Sequence, residues 1–249
     1  MFFFLFFLLG CIWGSFSNVC IHRIPIEKSV IYSRSFCPNC KKTIKWFDNI
    51  PLISFLILKA KCRNCHNKIS FEYFIVELIS ALSFTIIYYF YGISITSLLL
   101  VILSIFFIII FFIDLHHFII PDQLTYPLMV IGFAKSFYQI DNFFLFPNYL
   151  NSLIGGICGY LIIWLIIFLY KKIRNKEGMG LGDAKLLAAI GFWFGWISLP
   201  FILFFSSFIA LMSTLPSLIK KRKNLSSQIP FGPFIVLGVI MYMITRYLI

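Results

Sequence analysis

The chain has 249 residues, 61% of them hydrophobic and 12% charged, with a formal net charge of +12. A mean hydropathy of +0.95 excludes an ordinary soluble domain and points to a polytopic membrane protein. Nor does the charge imply a nucleic-acid partner: ten of the 21 Lys and Arg residues lie in 21–70, four in 171–176 and four in 220–223, all between apolar runs. Basic loops retained on the cytoplasmic side of a membrane have this distribution.

Apolar runs over 2–20, 73–91, 96–113, 124–139, 150–170, 184–198, 200–219 and 231–248 predict an all-α membrane protein of about eight transmembrane helices. With the basic loops inside, the N-terminus and the loops 92–95 and 140–149, which lack Lys and Arg, fall outside. Only Lys135 and Arg246 lie near the outer side against that rule. The sixth and seventh spans divide at Pro200, where one bent segment would replace two and reverse the C-terminus. Leu8-Leu9-Gly10-Cys11 resembles a lipoprotein cleavage box, but no basic residue precedes it, so 2–20 is expected to remain a helix. The chain then divides into a first transmembrane helix over 1–20, a cytosolic loop domain over 21–71 and a membrane domain over 72–249.

Within the loop, Cys37-Pro38-Asn39-Cys40 and Cys62-Arg63-Asn64-Cys65 are separated by 21 residues, close to the spacing of a four-cysteine zinc ribbon. Disulfide pairing is the competing reading, and a cytosolic position, where thiols stay reduced, favours zinc. A loop this short needs the metal to fold. His66 adjoins the second knuckle, but four thiolates leave it no ligand role. Cys11, Cys20 and Cys158 lie in or beside apolar runs and read as packing residues. Trp46-Phe47-Asp48-Asn49-Ile50-Pro51 makes a turn with aromatic neighbours, suited to a small core or to a binding ledge.

Gly178-Met179-Gly180-Leu181-Gly182-Asp183 interrupts the apolar runs with three glycines in five residues, then a carboxylate at a helix start. The glycines suit close backbone approach or positive φ. The carboxylate meets free N–H groups and the positive end of the helix dipole, as a plain N-cap or as a chemical group. Asp114 closes the third span and Asp122 opens the fourth, both at the same membrane border as Asp183. Two carboxyl groups brought together cannot both ionise easily, so one serves as base and the other as acid around a shared water, which is aspartyl protease chemistry. Asp122 follows Pro121 before a helix and reads as an N-cap, so Asp114 is the preferred partner of Asp183 and Asp122 the alternative. Lys185 either supplies a positive field near the pair or marks the membrane boundary. His116 and His117 read as solvated interfacial residues, with a catalytic role as the alternative. Glu77, about one turn into the second span, requires a partner. Proton relay by the same acids would make the chain a proton-coupled transporter, but that predicts a polar path through the bilayer that the apolar runs lack.

These residues resemble the bacterial type IV prepilin peptidases, membrane aspartyl proteases of the Gly-x-Gly-Asp type. The ordered marks cover nearly the whole chain: Gly14-Ser15-Phe16-Ser17-Asn18-Val19 leading to Arg23-Ile24-Pro25, both cysteine knuckles, Trp46 to Pro51, and Lys61-Cys62-Arg63. Val76-Glu77, Asp114 to Leu124, Gly178 to Leu186 and Pro230-Phe231-Gly232-Pro233-Phe234 continue the set. Departures are Phe71-Glu72-Tyr73-Phe74, where an Arg-Tyr-Pro-like run is usual, and Tyr126, where Leu is common. The resemblance implies cleavage after a glycine of the basic leader of prepilins and pseudopilins, at the cytosolic face of the bacterial inner membrane. It also implies N-methylation of the new terminus from S-adenosylmethionine, although no glycine-rich nucleotide loop of the usual kind is present. Carried onto this chain, it makes Asp114 and Asp183 the proteolytic pair, supported by Gly180, Gly182, Lys185 and Asp122. It makes Cys37, Cys40, Cys62 and Cys65 the zinc ligands, and Glu77, Asn18 and Arg23 candidates for methyl transfer or loop packing. A zinc loop that only docks partner proteins is the alternative to methyl transfer. The expected partners are these substrates and membrane lipid, with no nucleic acid, and the sequence assigns no oligomeric state.

Overall fold

The computed structural model describes residues 1–31, 35–138, 145–175, 178–219 and 229–248. The basic cluster 220–223, Lys176 and residues 140–144 of the predicted outer loop lie outside the described residues. Nine α-helices are present among the described residues: α1 Phe2–Arg23, α2 Ile53–Ile57, α3 Phe71–Tyr91, α4 Ile95–His117, α5 Asp122–Ala134, α6 Tyr149–Arg174, α7 Leu181–Phe194, α8 Ser198–Ile219 and α9 Gly232–Leu248. All but α2 correspond to the predicted spans. By length and composition five of them, α1, α3, α4, α6 and α8, suffice to cross a membrane, while α9 is apolar but shorter. The chain forms two compact units, Met1–Ile109 and Ile110–Ile249.

In the first unit α1 packs along α3 through small residues. A Cβ at Gly10 would stand 2.6 Å from the Ala81 Cα, and one at Gly14 2.7 Å from the Glu77 Cα, so this four-residue spacing of glycines lets two backbones touch. Cys11 and Cys20 are buried in unit 1, as packing residues should be. Ser70 caps α3 by accepting from the Glu72 N–H, and Gly92 ends it at φ +57°. Between α1 and α3, two isolated bridges, Phe36 with Thr43 and Lys61 with Lys68, close the two cysteine turns.

In the second unit α7 is the central helix. Leu186, Leu187, Ala189, Ile190 and Trp193 are fully enclosed, and its neighbours are α5, α6, α8 and α9. A helix apolar on every face must be surrounded in this way. Close approach decides the α6 contact, where a Cβ on Gly191 would lie 2.1 Å from the Gly155 carbonyl oxygen. Trp193 donates from Nε1 to the Leu128 carbonyl of α5, and Lys135 donates from Nζ to the Trp193 carbonyl, each at 2.8 Å. Lys135, read from the sequence as a residue near the outer boundary, is therefore a buried donor to a carbonyl at the C-terminal end of α7. The break between α7 and α8 falls at Gly195, φ +79°, rather than at Pro200, which sits in the first turn of α8, where its missing N–H costs nothing.

Candidate active site

Asp183 is the third residue of α7, with Gly180 at the N-cap position, so it is not the N-cap itself. Its carboxylate reaches back to accept from the Gly180 N–H, as an acid at this position does in a capping box. The glycines before it serve close approach and not positive φ: Gly182 lies against Ile120, with 3.0 Å from an added Cβ to the Ile120 Cβ, and Gly178 lies against the Tyr170 ring. Asp114 stands in the last turn of α4, which closes with the Phe118 N–H on the Asp114 carbonyl and Phe118 at φ +57°. The loop after Phe118 carries Ile120 back onto the first turn of α7. Both carboxyl groups are withdrawn from solvent, Asp114 at 4% and Asp183 at 8% exposure, and the charge of Asp114 is felt at Asp183.

One contact was not foreseen from the sequence. The Gly232 N–H at the start of α9 donates to Asp114 Oδ2 at 2.8 Å, across 118 positions of chain. Pro233 follows and has no N–H, so Gly232 supplies the donor at this helix start, where backbone N–H groups lack partners and the dipole favours an anion. The signal was present in Pro230-Phe231-Gly232-Pro233-Phe234, a Gly-Pro pair opening an apolar helix, but nothing local says which acid it meets.

Asp122 is placed differently. It is the first residue of α5 with Pro121 at the N-cap position, it makes no capping hydrogen bond, and its half-exposed side chain pairs with Lys185 Nζ at 2.6 Å. Lys185 also lies 5.2 Å above the Tyr126 ring. Among the described residues the ion pair of Lys185 is therefore with Asp122, not with the buried acids. His116 and His117 lie in the last turn of α4.

The four cysteines of the loop converge: the sulfurs of Cys37, Cys40, Cys62 and Cys65 all lie within 4.8 Å of one another, with 3.8 Å between Cys37 and Cys65. Tetrahedral zinc thiolate bonds of about 2.3 Å put sulfurs about 3.8 Å apart, so the set fits zinc. All four are free thiols, against the disulfide reading. The knuckles share one geometry. Cys37 N–H donates to Lys42 and Cys62 N–H to Asn67, and the residue after each second cysteine, Lys41 or His66, takes φ 56°. His66 is thus a turn residue beside the cluster. The N–H groups of Cys65 and Asn64 draw the Cys62 thiol down to about 6. Cys65, though pulled down by the Asn67 N–H, is held up at about 11 by desolvation and by sharing hydrogen bonds with Cys62, Cys37 and Cys40.

The three remaining candidates all bind backbone. Glu77 Oε2 accepts from the Leu52 N–H at 2.8 Å, Asn18 donates to the Tyr73 carbonyl at 3.1 Å, and Arg23 donates to the Ser29 carbonyl at 3.1 Å. Leu52 is held at φ 61°, so Glu77 secures a strained turn of the cysteine loop against α3.

Two family models match successive stretches of the chain. The family model of the bacterial peptidase A24 N-terminal domain matches residues 8–91, and that of the type IV leader peptidase family matches residues 101–215. The chain is 34% identical to a prepilin leader peptidase/N-methyltransferase of Aeromonas salmonicida, over 96% of this chain and 89% of that protein. It is 33% identical to the protein of the same name from Neisseria gonorrhoeae, covering 91% and 84%, and 32% identical to that from Pseudomonas aeruginosa, covering 93% and 86%. No solved structure matches. With about a third of its residues shared along nearly its whole length, the chain belongs to the type IV leader peptidase family.

Proposed function

We propose that this chain is a membrane aspartyl endopeptidase that removes the leader of type IV prepilins and pseudopilins after a glycine, with Asp114 and Asp183 as the catalytic pair. Two buried carboxyl groups in electrostatic reach of each other, one bound by the Gly232 N–H and one by the Gly180 N–H, carry this reading. In the reaction the ionised carboxylate takes a proton from water as the water oxygen adds to the scissile carbonyl carbon. The protonated carboxyl donates to the carbonyl oxygen. Collapse of the tetrahedral gem-diol breaks the C–N bond as one of its hydroxyl groups returns a proton to the carboxylate that had donated, and the departing amine takes up the proton held by the base. Gly182 supports the site by letting α7 begin against Ile120 and Gly180 by donating its N–H to the Asp183 carboxylate, while Lys185 and Asp122 neutralise each other at its edge.

The protein is a multi-pass protein of the bacterial inner membrane, and we place the acid pair at its cytosolic face because the basic loops, including the one after α1, belong on that side. The names of its relatives support a second activity, N-methylation of the new N-terminus with S-adenosylmethionine as donor. The described residues present no glycine-rich cradle for that donor, and Glu77, Asn18 and Arg23 are engaged with backbone groups, so we assign them to loop packing and derive no step through the donor. Cys37, Cys40, Cys62 and Cys65 would hold a structural zinc ion that fastens the loop and supplies no chemistry to cleavage. We retain the division into a first helix over 1–20, a zinc loop over 21–71 and a peptidase domain over 72–249. Cleavage of a prepilin by membranes containing Asp114→Asn or Asp183→Asn protein tests the pair. Both should be inactive, and processing retained by the Asp114→Asn protein would transfer the role to Asp122.

A further inference from the structure

The stretch Trp46-Phe47-Asp48-Asn49-Ile50-Pro51-Leu52-Ile53-Ser54-Phe55-Leu56-Ile57 is apolar, yet it lies in the most basic loop of the chain. It folds as a 3-10 turn over Trp46–Asn49 followed by α2, and no side chain of either is buried. Trp46 is 80% exposed, Ile53 53%, Leu56 65% and Ile57 69%. A contiguous exposed apolar patch of this kind marks a surface that something else covers.

Its position in the fold indicates what covers it. The Leu52 N–H is tied to Glu77, and the Phe55 ring stands 6.0 Å from Phe71 and 5.3 Å from Phe74. Phe71 and Phe74 form the first turn of α3, and α3 is long and apolar enough to cross a membrane. Glu77 follows Phe71 by six positions, about 9 Å along the axis at about 1.5 Å per residue. The segment is therefore held beside the opening turns of a helix long and apolar enough to cross a membrane. Charge points the same way. Lys41, Lys42, Lys45, Lys59, Lys61 and Lys68 are exposed on either side of the segment, and among the described residues none of them forms an ion pair. The one acid within the segment, Asp48, is taken by Arg63 at 2.6 to 3.0 Å, which holds its carboxyl below the usual range.

We propose that residues 46–57 are an interfacial membrane anchor, in which Trp46, Ile53, Leu56 and Ile57 enter the border of the leaflet while the flanking lysines hold anionic phospholipid headgroups. The cysteine cluster is thereby laid against the membrane surface next to α3. Apolar insertion combined with basic contacts is the physics of interfacial helices, and an exposed tryptophan suits the headgroup level. A substrate with a basic leader is a poor occupant of so basic a face.

The test uses the full-length protein reconstituted in vesicles of phosphatidylcholine with or without phosphatidylglycerol, carrying brominated or ordinary acyl chains. Subtracting the emission of the Trp46→Phe protein isolates the signal of Trp46 from the other four tryptophans. We expect a blue-shifted emission that brominated chains quench by roughly twofold or more, more strongly when phosphatidylglycerol is present. An Ile57→Trp reporter in the Trp46→Phe background repeats the measurement at the far end of the segment, and unchanged zinc content shows that the loop is intact. Unquenched, red-shifted emission at both positions overturns the proposal. Equal quenching without phosphatidylglycerol overturns the role of the lysines. Loss of quenching on adding a prepilin peptide would make the face a substrate site and overturn it as well.

Discussion

Replacing Gly232 by alanine should disable Asp114 without touching its chemistry. A Cβ at this position would stand 2.8 Å from Asp114 Oδ2, 3.3 Å from its Cγ and 3.1 Å from Ile120 Cδ1. Ordinary contact begins at about 3.4 Å, so the carboxylate must withdraw by roughly half an ångström, stretching the 2.8 Å bond from the Gly232 N–H. A hydrogen bond to a charged group contributes about 1.5–3 kcal/mol. At about 1.4 kcal/mol per factor of ten, its loss predicts a fall in kcat of roughly 10- to 100-fold, with KM nearly unchanged because no substrate contact is removed. The assay is cleavage of a purified prepilin by membranes with matched amounts of folded protein. Gly238→Ala is the control: its Cβ would lie 2.4 Å from Ser206 Oγ and 2.7 Å from the Ile202 carbonyl, on the same helix but against α8. It should lower stability and leave kcat per folded molecule within a few-fold. Should Gly232→Ala cleave within about twofold of the parent, or should both variants lose kcat equally, the Gly232 contact does not position the acid.

Other consequences follow from the same geometry. Lys185→Ala and Asp122→Asn each break a largely exposed ion pair worth at most about 1 kcal/mol, so cleavage should fall less than about fivefold, and a loss matching Asp114→Asn would contradict the assignment. Lys135→Met keeps the stem but strands the Trp193 carbonyl and removes a cation 4.0 Å from the Phe146 ring. It should cost about 1–3 kcal/mol, read as a lower midpoint of thermal inactivation. Cys37→Ser and Cys62→Ser should each lower zinc content measured on the purified protein, and unchanged zinc would defeat the assignment of the four cysteines as ligands.

Features encoded over a few residues were legible in the sequence. Apolar runs located the long helices, the paired Cys-x-x-Cys turns located the cluster, and Gly178 to Asp183 announced a helix start bearing an acid. Hydropathy did not give the helix ends: the predicted span 124–139 folds as a helix over Asp122–Ala134, because capping and turn residues set the boundaries. The break after α7 was misplaced at Pro200, since a proline in a first helical turn disrupts nothing while a left-handed Gly195 turns the chain.

The amino-acid sequence by itself determined the membrane class, the four-cysteine cluster of the loop and the acid-bearing start of α7, because each follows from short-range spacing and composition. Only the tertiary structure decided the partners. It brought Gly232 to Asp114 across 118 positions, paired Asp122 with Lys185, joined Leu52 to Glu77 and enclosed Lys135 at the end of α7. The physical reason is that a donor or a charge states what it needs but not where its complement lies. That choice is made when distant segments close on one another, and no local periodicity records it.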